Sequence, residues 1–218
     1  MKQLALPFLE AQTYAAEDFC AAPSNAAARD WLARPGAWTN GRLILWGEAG
    51  CGKTHLLHLW AASVNAEIMN GATLHGLVRP TKPFLAIDDA DIVVDPRTLL
   101  HLLNAASESA TLVLMTSRLP PARQQIKLAD LSSRLRATTT VEIRAPEDEL
   151  FAMLLARLAA DRQLNLSIPV SNFLLTHVPR TAAALREAVA RLDRATLGQG
   201  IRITRQLADE ILVDLAHE

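Results

Sequence analysis

The stretch Gly47-Glu48-Ala49-Gly50-Cys51-Gly52-Lys53-Thr54 constrains this chain more than any other, because it reads G-x-x-x-x-G-K-[ST]. The three glycines let the backbone turn its N–H groups inward around a phosphate, and a following helix adds partial positive charge from its N-terminus. Lys53 can reach the β- and γ-phosphates, and the Thr54 hydroxyl can hold Mg²⁺. The flanks supply the required context. Leu43-Ile44-Leu45-Trp46 is a short, unalternating apolar run, which reads as a buried parallel strand. His55 to Ala62 reads as a helix. Gly47, Gly50, Cys51, Gly52, Lys53, Thr54 and His55 are therefore the expected surroundings of a bound ADP or ATP.

Downstream, Pro83-Phe84-Leu85-Ala86-Ile87-Asp88-Asp89 is an apolar strand ending in two acids. The strand delivers Asp88 to the metal, directly or through water, and sets Asp89 where a carboxylate can polarise an attacking water. Thr111 to Ser117 is a further strand ending in hydroxyls, and either Thr116 or Ser117 could touch the terminal phosphate or the water. Glu67 to Asn70 and Val141 to Ile143 complete five strands. The intervening helices are expected near Ala72–Val78, Asp95–Glu108 and Leu131–Arg136, and an earlier one, capped by Ser24 or Asn25, runs to about Arg34. Strands alternating with helices give a parallel α/β sheet with its ligand at the carboxyl ends.

Pro146 marks a boundary, beyond which the pattern is helical only. Helices are expected over about 147–163, with Leu150, Met153, Leu154 and Leu158 on one face, then over 169–177 and 180–197. Gly198 and Gly200 break the chain, and Thr204 caps a last helix to about Ala216. Arg180 falls at a helix start, where a cation opposes the macrodipole unless it is aimed at an anion such as a nucleotide. The expected domains are thus a tail over 1–10, a nucleotide-binding α/β domain over 11–145 and a helical domain over 146–218.

The bulk properties exclude more than they assert. The 218 residues carry a net charge of −1 and a pI near 6.6, which is no footprint for autonomous DNA binding. The two cysteines, Cys20 and Cys51, form neither a zinc pattern nor a disulfide framework. None of the six histidines makes a metal pattern; His55 and His58, three apart, read as packing or capping groups. No apolar run is long enough to cross a bilayer, and no signal-peptide layout opens the chain, so a cytoplasmic protein with no membrane partner is expected. Cys51 sits at a helix N-terminus, which favours the thiolate.

Taken together, the P-loop, the Asp-Asp strand, the polar strand end and a helical lid with a leading arginine resemble the AAA+ family. Gly52-Lys53-Thr54-His55-Leu56-Leu57-His58, Ile87-Asp88-Asp89 and Ser133-Arg134-Leu135 look like the ATPase domain of the DnaA-related branch. Phe19 to Asn25 looks like that branch's entry to the nucleotide site. Leu192-Asp193-Arg194-Ala195 and the closing helix look like the Hda-like members, which have no helix-turn-helix domain after the lid. Gln3-Leu4-Ala5-Leu6-Pro7-Phe8 matches the clamp-binding peptide with which those members begin.

The resemblance implies control of replication initiation. Gln3, Leu4, Leu6, Pro7 and Phe8 would dock on the β sliding clamp of DNA polymerase III, so that DNA is met only indirectly. Arg134 would be an arginine finger acting in trans on ATP-bound DnaA. Arg180 would be the sensor-2 contact and Phe19 part of the nucleotide site, with ADP the expected resident nucleotide. Any ATPase activity of its own would be weak, and homodimer formation stays open. Two departures stand out: Arg118 follows Ser117 where an acid is usual, and Asp89 replaces the glutamate common in AAA+ motors. The alternative is a helicase-loader or transposition-helper ATPase of the DnaC/IstB kind.

Overall fold

The computed structural model describes residues 14–16, 19–199 and 202–216 of the chain. Its contacts divide after Ala145, giving an α/β unit from Tyr14 and a helical unit from Pro146.

Five strands form the sheet of the α/β unit: β1 (Arg42–Trp46), β2 (Glu67–Asn70), β3 (Phe84–Asp88), β4 (Leu112–Ser117) and β5 (Thr139–Glu142). They lie in the order β2-β3-β4-β1-β5, and every pairing is parallel. The three central strands are near-continuous apolar runs because both of their faces are covered. Leu43, Leu45, Ala86, Leu114 and Val141 pack on one side with Leu56, Leu57, Trp60 and Ala61 of α2 (Lys53–Val64). Ile44, Leu85, Ile87, Val113 and Met115 pack on the other with α3 (Pro96–Glu108) and α4 (Ala129–Arg136). Leu99, Leu102 and Leu103 of α3 are buried, as their helical spacing requires.

Two expected elements differ. The helix read over Ala72–Val78 is a single 3₁₀ turn, Gly71–Thr73, followed by loop. Asn70 holds that turn by accepting from the Ala72 N–H at 2.9 Å, and Gly76 then takes φ +72°, so the chain cannot coil onward. The first helix, α1 (Pro23–Leu32), begins before the residues expected to cap it, with Ala22 as its N-cap. Pro23 fixes the helical φ from the first position, and Asn25 serves from inside, accepting from the Ala22 N–H at 3.2 Å.

The helical unit contains α5 (Asp148–Asp161), α6 (Ile168–His177), α7 (Ala182–Gln199) and α8 (Arg205–Ala216). Its core joins Phe151, Leu155, Phe173, Leu174, Leu185, Val189, Leu192 and Ala208. The expected face of α5 is in part the buried one, since Leu150 is inside and Leu154 and Leu158 pack against the core, but Phe151, Leu155 and Ala159 are buried beside them and Met153 is 49% exposed. The large aromatic ring of Phe151 centres the buried face. Gly198 lies within α7 instead of ending it. Thr204 does cap α8, accepting from the Leu207 N–H at 3.2 Å.

Candidate functional site

The parallel register brings the ends of β1 and β4 together, with Trp46 opposite Ser117. Gly47 follows directly, and its N–H donates to the Ser117 carbonyl at 3.3 Å. Its φ is +155°, and a Cβ there would stand 2.3 Å from the Ile143 carbonyl oxygen. No other residue fits this close crossing of backbones. Gly52, at φ +102°, is the N-cap of α2. It turns the chain so that the first N–H groups of the helix, which have no intrahelical acceptor, face back toward the loop. Lys53 is 6% exposed, and its ammonium donates to the carbonyls of Gly47 at 2.7 Å and Glu48 at 2.8 Å.

Two hydroxyls converge on one carboxylate oxygen. Thr54 donates to Asp88 Oδ1 at 3.2 Å and Thr116 donates to the same atom at 2.6 Å. Thr116 also accepts from the Asp89 N–H at 2.8 Å and is fully buried. Ser117 is differently engaged, donating to the Leu119 carbonyl. Thr116, not Ser117, is therefore tied to the acidic strand end. Asp89 has left the strand and sits in the left-handed region at φ +51°. Its carboxyl is held above the ordinary aspartate range by burial first, then by Asp88 and Asp91. Asp91 was legible only as a third acid after the pair; its Oδ2 accepts from the Arg118 N–H at 2.8 Å. An oxygen set of one hydroxyl and one carboxylate, Thr54 and Asp88, has the hardness that suits Mg²⁺.

An aromatic strap crosses the first turns of α2. His55 Nε2 lies 3.1 Å from the Ala15 carbonyl, so that nitrogen is the donor. The Phe19 ring meets His55 edge-on at 5.3 Å, and Tyr14 stacks on His58 at 4.0 Å. Phe19 and His55 thus sit together beside the loop, while Tyr14 is a neighbour that nothing in the sequence singled out. Cys51 behaves against expectation: burial raises its thiol pKa and outweighs the attraction of Lys53. A helix N-terminus favours a thiolate only where solvent can reach it.

The arginines are separately placed. Arg134 lies on the last turn of α4, exposed, with no side-chain hydrogen bond or ion pair among the described residues. Arg180 precedes α7 instead of lying in its first turn, and Thr181 does the capping, accepting from the Ala184 N–H at 3.1 Å. The Arg180 guanidinium pairs with Asp148 and lies 5.4 Å over the Phe151 ring. The anion it faces is a carboxylate of its own unit. Gln3, Leu4, Leu6, Pro7 and Phe8 lie outside the described residues.

Known proteins resemble the chain both in sequence and in fold. Residues 148–212 match the family described as "Hda, lid domain". The fold matches domain III of the replication initiation protein DnaA of Thermotoga maritima, with a TM-score of 0.78 and 21% identity over 92% of this chain and 96% of that one. The helical unit is thus similar to the lid domain of Hda, and the chain has the fold of DnaA domain III. Its fold is also similar to AMPPCP-bound DnaA from Aquifex aeolicus, with TM-score 0.68 and 18% identity over 86% of this chain and 67% of that one. An uncharacterised protein of Haemophilus influenzae is 27% identical over 77% of this chain and 80% of its own length. The expected α/β sheet followed by a helical unit is thus the fold of these DnaA structures. Among the described residues, no helix is long and apolar enough to cross a membrane.

Proposed function

We propose that this chain is a nucleotide-binding negative regulator of replication initiation that acts on a partner's nucleotide. Held on the β sliding clamp of DNA polymerase III through Gln3, Leu4, Leu6, Pro7 and Phe8, it would meet ATP-bound DnaA and stimulate hydrolysis of DnaA's ATP. The observation that carries this reading is Arg134, an exposed guanidinium on a helix end with no carboxylate partner among the described residues. An arginine offered in trans to developing phosphoryl charge accelerates GTPase-type reactions by about 10³–10⁵.

The chain's own loop would serve as the seat of ADP, or of ATP. Lys53 would exchange the Gly47 and Glu48 carbonyls for phosphate oxygens, and the N–H groups at the start of α2 would donate to the same group. Thr54 and Asp88 would hold Mg²⁺, which neutralises charge on the phosphates. Phe19 and His55 would wall the nucleotide side of the loop, with Arg180 as the lid's contact once it releases Asp148. Asp89 is the residue placed to polarise a water in this chain's own site. Its position off the strand, in a left-handed turn, favours weak turnover over motor activity. Homodimerisation and a cytoplasmic location belong to the same reading.

The test is hydrolysis of DnaA-bound ATP in the presence of DNA-loaded clamp, with and without this protein. Stimulation is expected from the wild type. Its loss is expected on substituting Arg134→Ala, with ADP binding retained. Undiminished stimulation by that variant overturns the mechanism.

A further inference from the structure

The α/β unit has a second polar concavity, at the opposite end of the sheet from the P-loop. It is a cleft of about 580 Å³ lined by Asn40, Arg42, Ser107, Thr111, Ser133 and Arg134, among others. Three residues with positive φ, in two turns, help to line it: Asn40, Gly41 and Ala110. No carboxylate lines it. Arg42 is the first residue of β1 and is 6% exposed, yet the one hydrogen-bond partner of its guanidinium among the described residues is the Ser107 hydroxyl. Arg134 contributes a second guanidinium to the same cleft and has no side-chain partner among the described residues.

Helix ends account for only part of this pair. The carbonyls that close α3 and α4 attract cations, and Arg134 lies in the last turn of α4, but several of those carbonyls already accept from the chain's own donors. The Ala105, Ala106 and Ser107 carbonyls accept from the N–H groups of Ser109, Thr111 and Ala110. In α4, the Ser133 and Leu135 carbonyls accept from Ala137 and Thr138, and the Arg134 carbonyl accepts the Thr138 hydroxyl. Two guanidiniums are therefore brought together with no carboxylate in the cleft among the described residues. The cost is visible in Arg42, whose pKa is lowered by burial first and then by Arg134. Planar forks with free donors, flanked by hydroxyls, suit a phosphate group.

We propose that this cleft is a terminal-phosphate site completed in trans, in which Arg42 and Arg134 together clasp the γ-phosphate of a nucleoside triphosphate seated on the P-loop of a partner AAA+ protein. The proposal rests on the trans reading of Arg134 and adds Arg42 as its second cation. Arg134 makes the exposed contact. Arg42, fixed by Ser107 behind it, keeps the cleft positive and supplies the inner donors.

The experiment measures hydrolysis of DnaA-bound ATP by the full chain with clamp-loaded DNA, comparing Arg42→Met, Arg42→Lys and Arg134→Ala. Arg42→Met is expected to lower the stimulated rate roughly tenfold to a hundredfold, the scale of a lost charged hydrogen bond. Arg42→Lys should recover part of it. The thermal midpoint of Arg42→Met should hold or rise, because the substitution removes a buried, like-charged cation in favour of an apolar side chain. Full stimulation by Arg42→Met with an inactive Arg134→Ala overturns the two-arginine site and leaves the trans reading standing; full stimulation by both sinks both. A lowered midpoint for Arg42→Met, with no recovery by Arg42→Lys, reduces Arg42 to a structural role and also overturns the proposal. A second arm titrates inorganic tripolyphosphate onto the ADP-loaded protein by calorimetry. No saturable, Arg42-dependent binding is expected, since a partner presents the phosphate; tight binding of the free anion assigns the cleft to a soluble ligand and overturns the trans source.

Discussion

At the carboxyl end of the sheet, Lys53 lies against two carbonyl oxygens and Asp88 accepts from two hydroxyls. At the amino end, roughly 13 Å away along β1, Arg42 reaches one hydroxyl and Arg134 reaches none among the described residues. The first end holds its charged groups with the chain's own polar atoms. Its ligand would replace bonds that already exist, so the loop can be ordered before anything binds. The second end carries like charges with no counterion among the described residues. It is stable because Arg134 is solvated, and it has the most to gain from an anion brought from outside. One sheet thus presents a self-sufficient end and an end that is electrostatically incomplete.

The widest gap between the two ends should appear on removing one cation from each. Arg134→Ala should cost about 10³–10⁵ in the partner's stimulated hydrolysis rate, the span seen for trans arginines, while ADP affinity stays within a factor of about two, because Arg134 is far from the loop. Lys53→Ala should do the converse. A lost charged contact to phosphate costs roughly tenfold to a hundredfold in ADP affinity by calorimetry. If each variant disturbs both readouts equally, the two ends are not independent sites.

The carboxyl end was largely legible in the sequence, and the amino end was not. A P-loop needs a fixed order of glycines, lysine and hydroxyl, so Gly47 to Thr54 announces itself, and the apolar runs of β1, β3 and β4 follow from burial on both faces. Arg42 carried a weaker signal: a charged residue opening a strand whose next three residues are buried. Its significance depends on the end of α3 and the end of α4 arriving beside it, and no spacing along the chain encodes that. The false helix at Ala72–Val78 has a local cause, since apolar spacing there was helical while Asn70 and Gly76 imposed turns. In α5 the apolar residues span more than one stripe, and tertiary packing centred the buried face on Phe151, which left Met153 of the expected face outside. The choice between Thr116 and Ser117 could only be made in three dimensions, because adjacent strand residues point to opposite faces.

Thr116 sharpens the comparison further, since it is the internal partner that makes the carboxyl end self-sufficient. Thr116→Val keeps the shape and deletes both the bond to Asp88 and the acceptor for the Asp89 N–H. The loss should be about 1–3 kcal/mol in urea unfolding of the α/β unit, the range for stranding a buried polar group. Arg42→Met, in contrast, should cost no stability. Equal losses from the two substitutions would erase the distinction between a compensated and an uncompensated end.

The smallest expected effect sets the scale for an ordinary paired charge. Glu187 accepts from Arg191 at 2.7 Å and from Arg194 at 3.0 Å, and its side chain is 42% exposed. The bond from Arg191 is the main cause that holds its carboxyl below the usual glutamate range. A depressed folded pKa contributes stability that is present above the unfolded value near 4.5 and is lost as pH falls through the lower folded value. Glu187→Gln should therefore cost no more than about 0.5 kcal/mol at pH 7, after allowing for solvent screening of so exposed a group. The difference from wild type should close as the pH is taken below 4.5. A gap that persists in acid would mean that the residue acts through packing and not through charge. The comparison matters for the cleft, because Glu187 shows what a guanidinium gains when its partner is on the same chain. Arg134 has no such partner among the described residues, so its contribution should appear only when a phosphate arrives.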